Sequence, residues 1–220
     1  EVNPHLANDT KNTIAEGQRL VDLVDRDNLM IKVPGSKEGL PAITELISRS
    51  INVNVTLIFS NAVYSEVRKA YMAGLEKLLS NGGDVSKVSS VASFFVSRVD
   101  TVVDSQLETI DSTESRLLLS TVAIANAKQA YRDFRIEFSS DRFVKLEKVY
   151  GANVQKPLWA STSTKNPELS DVLYVDSLIG VDTVNTMPDV TLNAFKDHGN
   201  PSYTLETGLG KSDSQINSLR

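Results

Sequence analysis

Short apolar runs alternate with segments of helical periodicity along most of this 220-residue chain, and this alternation limits its fold more than any other feature. The predicted strands lie at 29–33, 51–59, 91–96, 157–161 and 182–186. The first predicted helix is capped by Asp9 or Thr10 and is broken at Asp27-Asn28. Further predicted helices lie near 41–47, 61–79, 102–109, 113–138 and 142–150, with a last one after residue 188. Strand–helix repetition of this kind predicts parallel βα units. The sequence therefore predicts an α/β fold.

Composition narrows the range of possible functions. With 40% hydrophobic and 23% charged residues, the chain has the composition of one ordinary globular domain. It contains no cysteine and two histidines, which excludes disulfides and cysteine nucleophiles and argues against a multi-histidine metal site. The net charge is −5 without a basic cluster, so nucleic acid is not an expected partner. We find neither an apolar stretch of about 20 residues nor a secretion signal, and we expect a cytoplasmic protein without a membrane partner.

Lys32 is the first candidate for chemistry. It lies near the end of the apolar run 29–33, directly before the turn at Pro34-Gly35. In parallel α/β sheets and barrels, functional sites form at the C-terminal ends of strands. Burial there would disfavour the ammonium form, and the neutral amine is a nucleophile for carbonyl groups. The alternative is a lysine that extends outward to solvent or pairs with a carboxylate from another strand.

The run 51–59 combines an apolar row with a polar row. Its apolar members, at every second position, are Ile51, Val53, Val55, Leu57 and Phe59. Asn52, Asn54 and Thr56 alternate with them, and Ile58 follows on the same face. We expect the apolar row to pack on helices and the polar row to point into a barrel, where unpaired amides are costly unless they bind something. A solvent-exposed face of an antiparallel strand would give the same pattern.

Two further segments contain groups that suit a phosphate. Ser93, Ser97 and Arg98 lie on or just after the run 91–96, and an arginine at the end of a parallel strand is well placed for an anion. Ser161 and Lys165 belong to a hydroxyl-rich loop after the next strand, and such a loop can hold phosphate through hydroxyl and backbone N–H groups. The alternatives are a surface arginine in an ion pair and an ordinary polar loop.

Five segments together resemble the transaldolase family, in its long bacterial branch. Asn28–Pro34 (NLMIKVP) resembles the Schiff-base strand, and 51–60 (INVNVTLIFS) resembles the strand that follows it. The segment 92–100 (ASFFVSRVD) is similar to the strand with the phosphate arginine, and 159–167 (WASTSTKNP) to the phosphate loop after it. The segment 182–188 (DTVNTMP) is similar to the last strand of the barrel. The resemblance implies a (β/α)8 TIM barrel.

The resemblance also implies a role for each candidate residue. Lys32 would attack the keto group of a ketose phosphate. Glu1 and Thr56 would position a water molecule that carries protons while the carbinolamine dehydrates. Asn54 and Ser93 would contact the sugar chain. The phosphate would be bound by Arg98, Ser161 and Lys165.

The reaction that the resemblance implies is the transfer of a dihydroxyacetone unit in the non-oxidative pentose phosphate pathway. The donor would be sedoheptulose 7-phosphate or fructose 6-phosphate, and the acceptor an aldose phosphate. Because an iminium ion accepts the electron pair of the broken carbon–carbon bond, neither a metal nor an organic cofactor is expected. Ser50 stands where the family usually has glycine, which alters a turn but removes no catalytic group.

The ends of the chain depart from the family pattern. Residues 1–199 correspond to a partial barrel, from about the third or fourth strand to the eighth, and 200–220 look like a loop or tail that leads to a further helix. The first two strands, with an aspartate base, would lie outside this chain. We therefore expect a segment of a longer protein.

Two other functions are compatible with the sequence. The first is a simple Schiff-base aldolase, which cleaves a sugar phosphate and needs no aldehyde acceptor. The second is a catalytically inactive barrel fragment that binds sugar phosphates.

Overall fold

The structure, a computed structural model that describes residues 1–219, alternates strands and helices as the sequence predicts. The strands are β1 (Ile31–Pro34), β2 (Val53–Ile58), β3 (Ser90–Phe95), β4 (Gln155–Ala160) and β5 (Val184–Asn185). The helices are α1 (Thr10–Val24), α2 (Gly39–Ser48), α3 (Asn61–Ser80), α4 (Ser97–Ile110), α5 (Thr113–Arg116), α6 (Val122–Phe138), α7 (Asp141–Tyr150), α8 (Leu173–Ser177), α9 (Asp189–His198) and α10 (Leu209–Asn217). The predicted α/β class is confirmed.

One sheet contains the five strands of the described part of the chain, in the order β1-β2-β3-β4-β5. β1 and β2 pair in parallel, with Lys32 opposite Asn54 and Pro34 opposite Thr56. β4 and β5 pair in parallel as well. Sequential parallel strands joined by helices are the pattern of a (β/α)8 barrel. In residues 1–219 the barrel is not closed, because β1 and β5 stand at the two ends of the strand order.

The boundaries of α1 illustrate why the local pattern was sufficient for most helices. Asp9 precedes the helix in an extended conformation, and its carboxylate accepts the N–H of Asn12 at 3.0 Å. At the other end Asp25 adopts φ 46°, and its N–H donates to the carbonyl of Val21. Both groups satisfy backbone atoms that a helix end leaves unpaired. The helix therefore begins directly after the predicted cap Asp9, and it ends at Val24, before the predicted break at Asp27-Asn28.

The regular alternation predicted for β2 fails at its C-terminal end. Val53 and Val55 are buried as predicted, but Leu57 is 48% exposed and Ile58 is fully buried. Leu57 has φ 60°, a left-handed conformation that is unusual for a leucine. This conformation rotates the chain and exchanges the faces of the two residues that follow Thr56. The predictions that Leu57 packs on helices and that Ile58 shares the polar face are wrong for this reason.

The chain divides into two compact units, each with a core of its own. The first unit consists of Glu1–Ile58, Ala62–Ser93 and Phe134–Pro157. In its core α3 approaches α2 closely at Gly74, where an added Cβ would lie 2.6 Å from the Cβ of Ile47. Backbones this close require glycine at this position.

The second unit consists of Phe59–Asn61, Phe94–Asp133 and the chain from Leu158 onward. In its core Phe94 and Trp159 pack edge to face, with ring centres 6.1 Å apart. Leu107, Leu118 and Val122 form an apolar cluster. The predicted division into 1–199 and 200–220 is a different one, and it stays a prediction.

The long helix predicted at 113–138 is interrupted between α5 and α6. Ser120 in the interruption has φ 58°, and its N–H and hydroxyl both donate to the carboxylate of Asp104, at 2.9 and 3.1 Å. Sequence periodicity does not register such a contact, because Asp104 lies on α4, a full helix away. The Asp104 carboxylate therefore fixes Ser120, two residues before the start of α6.

The segment 200–220, predicted as a loop or tail, contains α10. Its composition is polar and gives a weak helical signal, but Asp213 links it to α6. The Asp213 carboxylate accepts hydrogen bonds from Gln129 at 2.8 Å and from Arg132 at 2.9 Å. Tertiary contacts of this kind commonly override weak intrinsic propensity.

No helix within residues 1–219 combines the length and the apolar character that crossing a bilayer requires.

Candidate active site

A lysine and a glutamate lie together at β1, where Lys32 is the second of the four strand residues and not, as the sequence predicted, close to the C-terminal end. The Nζ atom of Lys32 is 3.6 Å from Oε2 of Glu1, and both side chains are about half exposed. The adjacent residue Val2 fixes the glutamate, because its side chain is buried and its N–H donates to the carbonyl of Lys32 at 3.1 Å. Glu1 therefore runs beside β1 and supplies a carboxylate within reach of the amine. Such a pair offers a nucleophile and a proton acceptor next to each other.

The expectation that Lys32 is buried is wrong, since 40% of its side chain is exposed. Within residues 1–219, β1 has a strand neighbour on one side, β2, while Val2 extends along the other. A side chain on a strand with one strand neighbour has few residues to cover it. Pairing with a carboxylate, the alternative to burial for this lysine, is what occurs. Its partner is the glutamate that the family resemblance assigns to the reaction.

Asn54 and Ser93 form the next part of this site. Asn54 lies opposite Lys32 in the β1–β2 register, and its Oδ1 accepts the hydroxyl hydrogen of Ser93 at 2.7 Å. This bond fixes the orientation of the amide. In residues 1–219 the NH2 group of Asn54 has no hydrogen-bond acceptor, so it can donate to a ligand.

Thr56 lies two residues beyond Asn54 on β2, with a side chain that is 1% exposed. Its hydroxyl has no hydrogen-bond partner among the described residues. A buried polar group without a partner costs about 1–3 kcal/mol, so this hydroxyl requires water or a ligand. Asn52, the first residue of the same polar row, differs: its Oδ1 accepts the N–H of Ser89 at 2.7 Å, which gives it a structural role.

Arg98 lies in the first turn of α4, directly after β3, and its side chain is exposed. The guanidinium carbon is 5.1 Å from the ring centre of Phe95, a distance at which cation and ring attract each other. In residues 1–219 no carboxylate lies within ion-pair distance of Arg98. The guanidinium is therefore held on an aromatic face and remains available for an anion.

Ser161 follows β4 directly, in a left-handed conformation with φ 58°. Its carbonyl accepts the N–H of Ser97 at 2.9 Å, and the two serine hydroxyls are 2.9 Å apart. Ser97 is the first residue of α4, so these bonds join the end of β4 to the helix start that carries Arg98. Backbone N–H groups at a helix start favour anions. Arg98 and Ser161, predicted from separate segments, are thus brought near one another through Ser97.

Lys165 is exposed, and its Nζ donates to the hydroxyl of Ser163 at 3.2 Å. It lines a cavity of ≈ 330 Å³ together with Ser97 and the acidic side chains of Asp104 and Glu108 on α4. The carboxylates make this side of the cavity a poor environment for a phosphate. No hydrogen bond among the described residues connects Lys165 with Ser161, so its phosphate role stays a prediction.

Asp100 belongs to this region and was not among the residues predicted from the sequence. It is 2% exposed, and its carboxylate accepts the N–H of Ala123 at 2.7 Å and the hydroxyl of Tyr174 at 2.8 Å. Burial raises the pKa of the Asp100 carboxyl to about 6, and the two hydrogen bonds oppose that rise. An acidic residue two positions after a candidate phosphate arginine was visible in the sequence, but its partners lie on distant segments.

Comparison with known proteins gives a consistent result. The sequence model of the family described as Transaldolase/Fructose-6-phosphate aldolase matches residues 1–219. A protein of Mycolicibacterium smegmatis named Transaldolase is 51% identical over 215 residues, which are 98% of this chain and 58% of that protein. Transaldolase 1 of Streptomyces avermitilis is 52% identical over 208 residues, 94% of this chain and 55% of that protein. Transaldolase of Saccharopolyspora erythraea is 48% identical over 216 residues, 98% of this chain and 58% of that protein. The chain spans a little over half the length of these relatives.

Proposed function

Because the chain belongs to the transaldolase/fructose-6-phosphate aldolase family, we propose that it carries the Schiff-base site of a transaldolase. The reaction would transfer a dihydroxyacetone unit from a ketose phosphate, fructose 6-phosphate or sedoheptulose 7-phosphate, to an aldose phosphate. The observation that carries this proposal is the position of Lys32 on a parallel strand, beside the carboxylate of Glu1 and opposite the amide of Asn54. A cytoplasmic location and the absence of a nucleic-acid partner belong to the same proposal.

Lys32 is the proposed nucleophile. Its amine adds to the keto carbon of the sugar, and the carbinolamine loses water to give an iminium ion. A base removes the proton of the C4 hydroxyl, the C3–C4 bond breaks, and the iminium accepts the electron pair of that bond, so the aldose leaves as an aldehyde and a three-carbon enamine remains on the lysine. Addition of the enamine to an aldehyde acceptor and hydrolysis complete the transfer. This chemistry uses neither a metal nor an organic cofactor. Because the amine is half exposed in the free protein, we infer that the bound sugar displaces the water around it.

Glu1 and Thr56 are proposed to hold the water molecule that transfers protons during dehydration. Glu1 supplies a carboxylate 3.6 Å from the amine, and Thr56 supplies a buried hydroxyl that has no partner in residues 1–219. One water bonded to both would satisfy that hydroxyl and connect it with the base. Asn54 is proposed to donate a hydrogen bond from its free NH2 group to a sugar hydroxyl. The Ser93 hydroxyl donates to the amide oxygen of Asn54 and so fixes the orientation of the amide.

Arg98 and Ser161 are proposed to bind the phosphate group of the substrate. The guanidinium is unpaired among the described residues and rests on Phe95, so binding an anion breaks no existing ion pair. Ser161 contributes a hydroxyl next to the start of α4. Lys165 is proposed as a further phosphate ligand, which requires that its side chain turn away from the acidic face of α4.

A second candidate function is a simple aldolase, because the family description names fructose-6-phosphate aldolase beside transaldolase. Both reactions proceed through the same lysine and differ in the fate of the enamine. In the aldolase it is protonated and hydrolysed, whereas in the transaldolase it reacts with an aldehyde. Release of free dihydroxyacetone from fructose 6-phosphate without an acceptor would favour the aldolase. A barrel that binds sugar phosphates without reacting would form no covalent adduct at all.

The test is reductive trapping with borohydride. The protein is incubated with fructose 6-phosphate, reduced, digested and examined by mass spectrometry. We expect a reduced sugar adduct on Lys32, three carbons long if cleavage has occurred and six if it has not. Lys32→Arg should abolish the adduct, whereas Lys37→Arg, which alters an exposed lysine five residues further on, should leave it intact. An absent adduct, or one that persists in Lys32→Arg, contradicts the proposal.

A further inference from the structure

A buried carboxylate lies two residues after the phosphate arginine and takes no part in the proposed chemistry. Asp100 belongs to the first turn of α4, as Arg98 does. It is 2% exposed, and within residues 1–219 no lysine or arginine lies within ion-pair distance of it. Its oxygens are bound by two neutral donors, the Ala123 N–H at 2.7 Å and the Tyr174 hydroxyl at 2.8 Å. Removing either donor would leave a buried acceptor unsatisfied.

The two donors come from different segments. Ala123 lies in the first turn of α6, so the Asp100 carboxylate, which belongs to α4, caps the start of α6. Tyr174 belongs to α8, is 2% exposed, and follows the loop after β4 that contains Ser161. One carboxylate thus joins the first turn of α4 to two elements that are remote in sequence.

A second connection holds the same turn from its other side. Ser97, at the start of α4, is bonded to Ser161 through both its N–H and its hydroxyl. Arg98 lies between these two anchors and has neither an ion pair nor a capping bond of its own among the described residues. Its backbone position is therefore set by Ser97 on one side and Asp100 on the other.

We propose that Asp100 is a positioning residue for phosphate recognition, which fixes the first turn of α4 through Tyr174 and Ala123 so that Arg98 meets the phosphate group. This inference rests on the proposed function, since it requires that Arg98 bind the substrate's phosphate. An arginine binds phosphate through paired N–H groups in a fixed plane, so a small displacement of its backbone weakens both bonds. The sugar-reacting residues Lys32, Glu1 and Thr56 are not linked to Asp100 by any bond in the described part of the chain.

The proposal predicts an effect on phosphorylated substrates that non-phosphorylated ones do not share. The measurement is reductive trapping on Lys32 as a function of substrate concentration, with fructose 6-phosphate and with dihydroxyacetone. Tyr174→Phe removes one hydroxyl and keeps the ring, and Asp100→Ala removes both hydrogen bonds. For each variant we expect the half-saturating concentration of fructose 6-phosphate to rise by about tenfold, the effect of losing roughly one good charged hydrogen bond. The limiting trapping rate and the curve for dihydroxyacetone should change by less than about threefold.

Two variants are matched controls. Asp100→Asn keeps an oxygen for the Ala123 N–H and places an NH2 group against the Tyr174 oxygen, so it should retain wild-type half-saturation within about threefold. Asp104→Asn alters the next carboxylate of the same helix, which holds Ser120 and makes no bond to Tyr174, and it should also stay near wild type. Competition by inorganic phosphate should weaken in Tyr174→Phe and remain unchanged in Asp104→Asn.

The outcomes separate this inference from the proposed function. If neither the wild type nor any variant forms an adduct with either substrate, the Schiff-base function fails and this inference fails with it. If adducts form but Tyr174→Phe and Asp100→Ala trap fructose 6-phosphate with unchanged half-saturation, only the positioning role is refuted. An equal loss for both substrates would also refute it, because it would indicate a structural role without a connection to phosphate. Circular dichroism of Tyr174→Phe, which changes a single atom, verifies that the variant is folded.

Discussion

The stability of the Asp100→Asn variant relative to the wild type should be greater near neutral pH than in acid. Burial raises the pKa of the Asp100 carboxyl from 3.8 to about 6. Asp104 on the same helix adds to the rise through its charge, while the hydrogen bonds from Ala123 and Tyr174 oppose it. Asparagine cannot ionise, so the variant lacks whatever this titration contributes to stability.

The sign follows from proton binding. Between about pH 4 and pH 6 the folded protein binds the Asp100 proton while the unfolded chain has lost it, so wild-type stability falls as pH rises through this window. Above the folded pKa the two states bind equally, and this contribution stops changing. A shift of about two pKa units corresponds to ~3 kcal/mol, at ~1.4 kcal/mol for each unit. The free energy of unfolding of Asp100→Asn minus that of the wild type should therefore rise by about 3 kcal/mol between about pH 4 and about pH 7.

Urea unfolding followed by circular dichroism at several pH values measures this difference. Any change that the substitution makes in packing adds a constant offset, which the pH dependence removes. Tyr174→Phe is the informative second variant: it deletes a hydrogen bond that lowers the Asp100 pKa, so the window should extend to higher pH. In the Asp100→Asn background Tyr174→Phe should have no such effect. A difference between Asp100→Asn and wild type that is the same at every pH would refute the reasoning.

Three further predictions concern stability and can be measured by the same unfolding experiment. Gly74→Ala should destabilise the protein by about 1–3 kcal/mol despite the better helix propensity of alanine, because the new Cβ would lie 2.6 Å from a side-chain atom of α2. Gly210→Ala, where an added Cβ on α10 meets open space, should stabilise the protein by up to about 1 kcal/mol. Equal effects of the two substitutions would contradict this account. Glu137→Gln should lower the free energy of unfolding by about 3 kcal/mol or more, because it leaves the buried guanidinium of Arg68 without a counter-charge. In the wild type this guanidinium is 3% exposed and lies 3.0 Å from the Glu137 carboxylate. A loss below about 1 kcal/mol would show that the ion pair is not needed for stability. Ser50→Gly should stabilise the protein by roughly 0.5–1 kcal/mol, because Ser50 follows the end of α2 with φ 62° and glycine adopts that conformation without strain. A loss of stability would mean that the serine side chain makes a stabilising contribution of its own.

Most of the fold was predictable because its signals are local. The apolar periodicity of α1 and the capping residue Asp9 lie within a few residues of each other, and the strands β1 to β4 coincide with apolar runs. Where a distant contact decides the conformation, prediction failed. The interruption before α6 depends on Asp104, and α10 depends on bonds from α6 to Asp213. Neither partner lies within the window that periodicity covers.

The candidate site divides in the same way. The sequence by itself determined which residues carry reactive groups and that these groups follow strand ends, since Lys32, Asn54, Thr56, Arg98 and Ser161 all lie on or directly after apolar runs. Only the tertiary structure decided how those groups are satisfied: that Lys32 is half exposed beside Glu1 and not buried, that Ser93 fixes the amide of Asn54, and that Asp100 joins α4 to Ala123 and Tyr174. Chemical identity belongs to single residues, whereas burial and hydrogen bonding depend on which distant segments the fold brings within about 3 Å of one another.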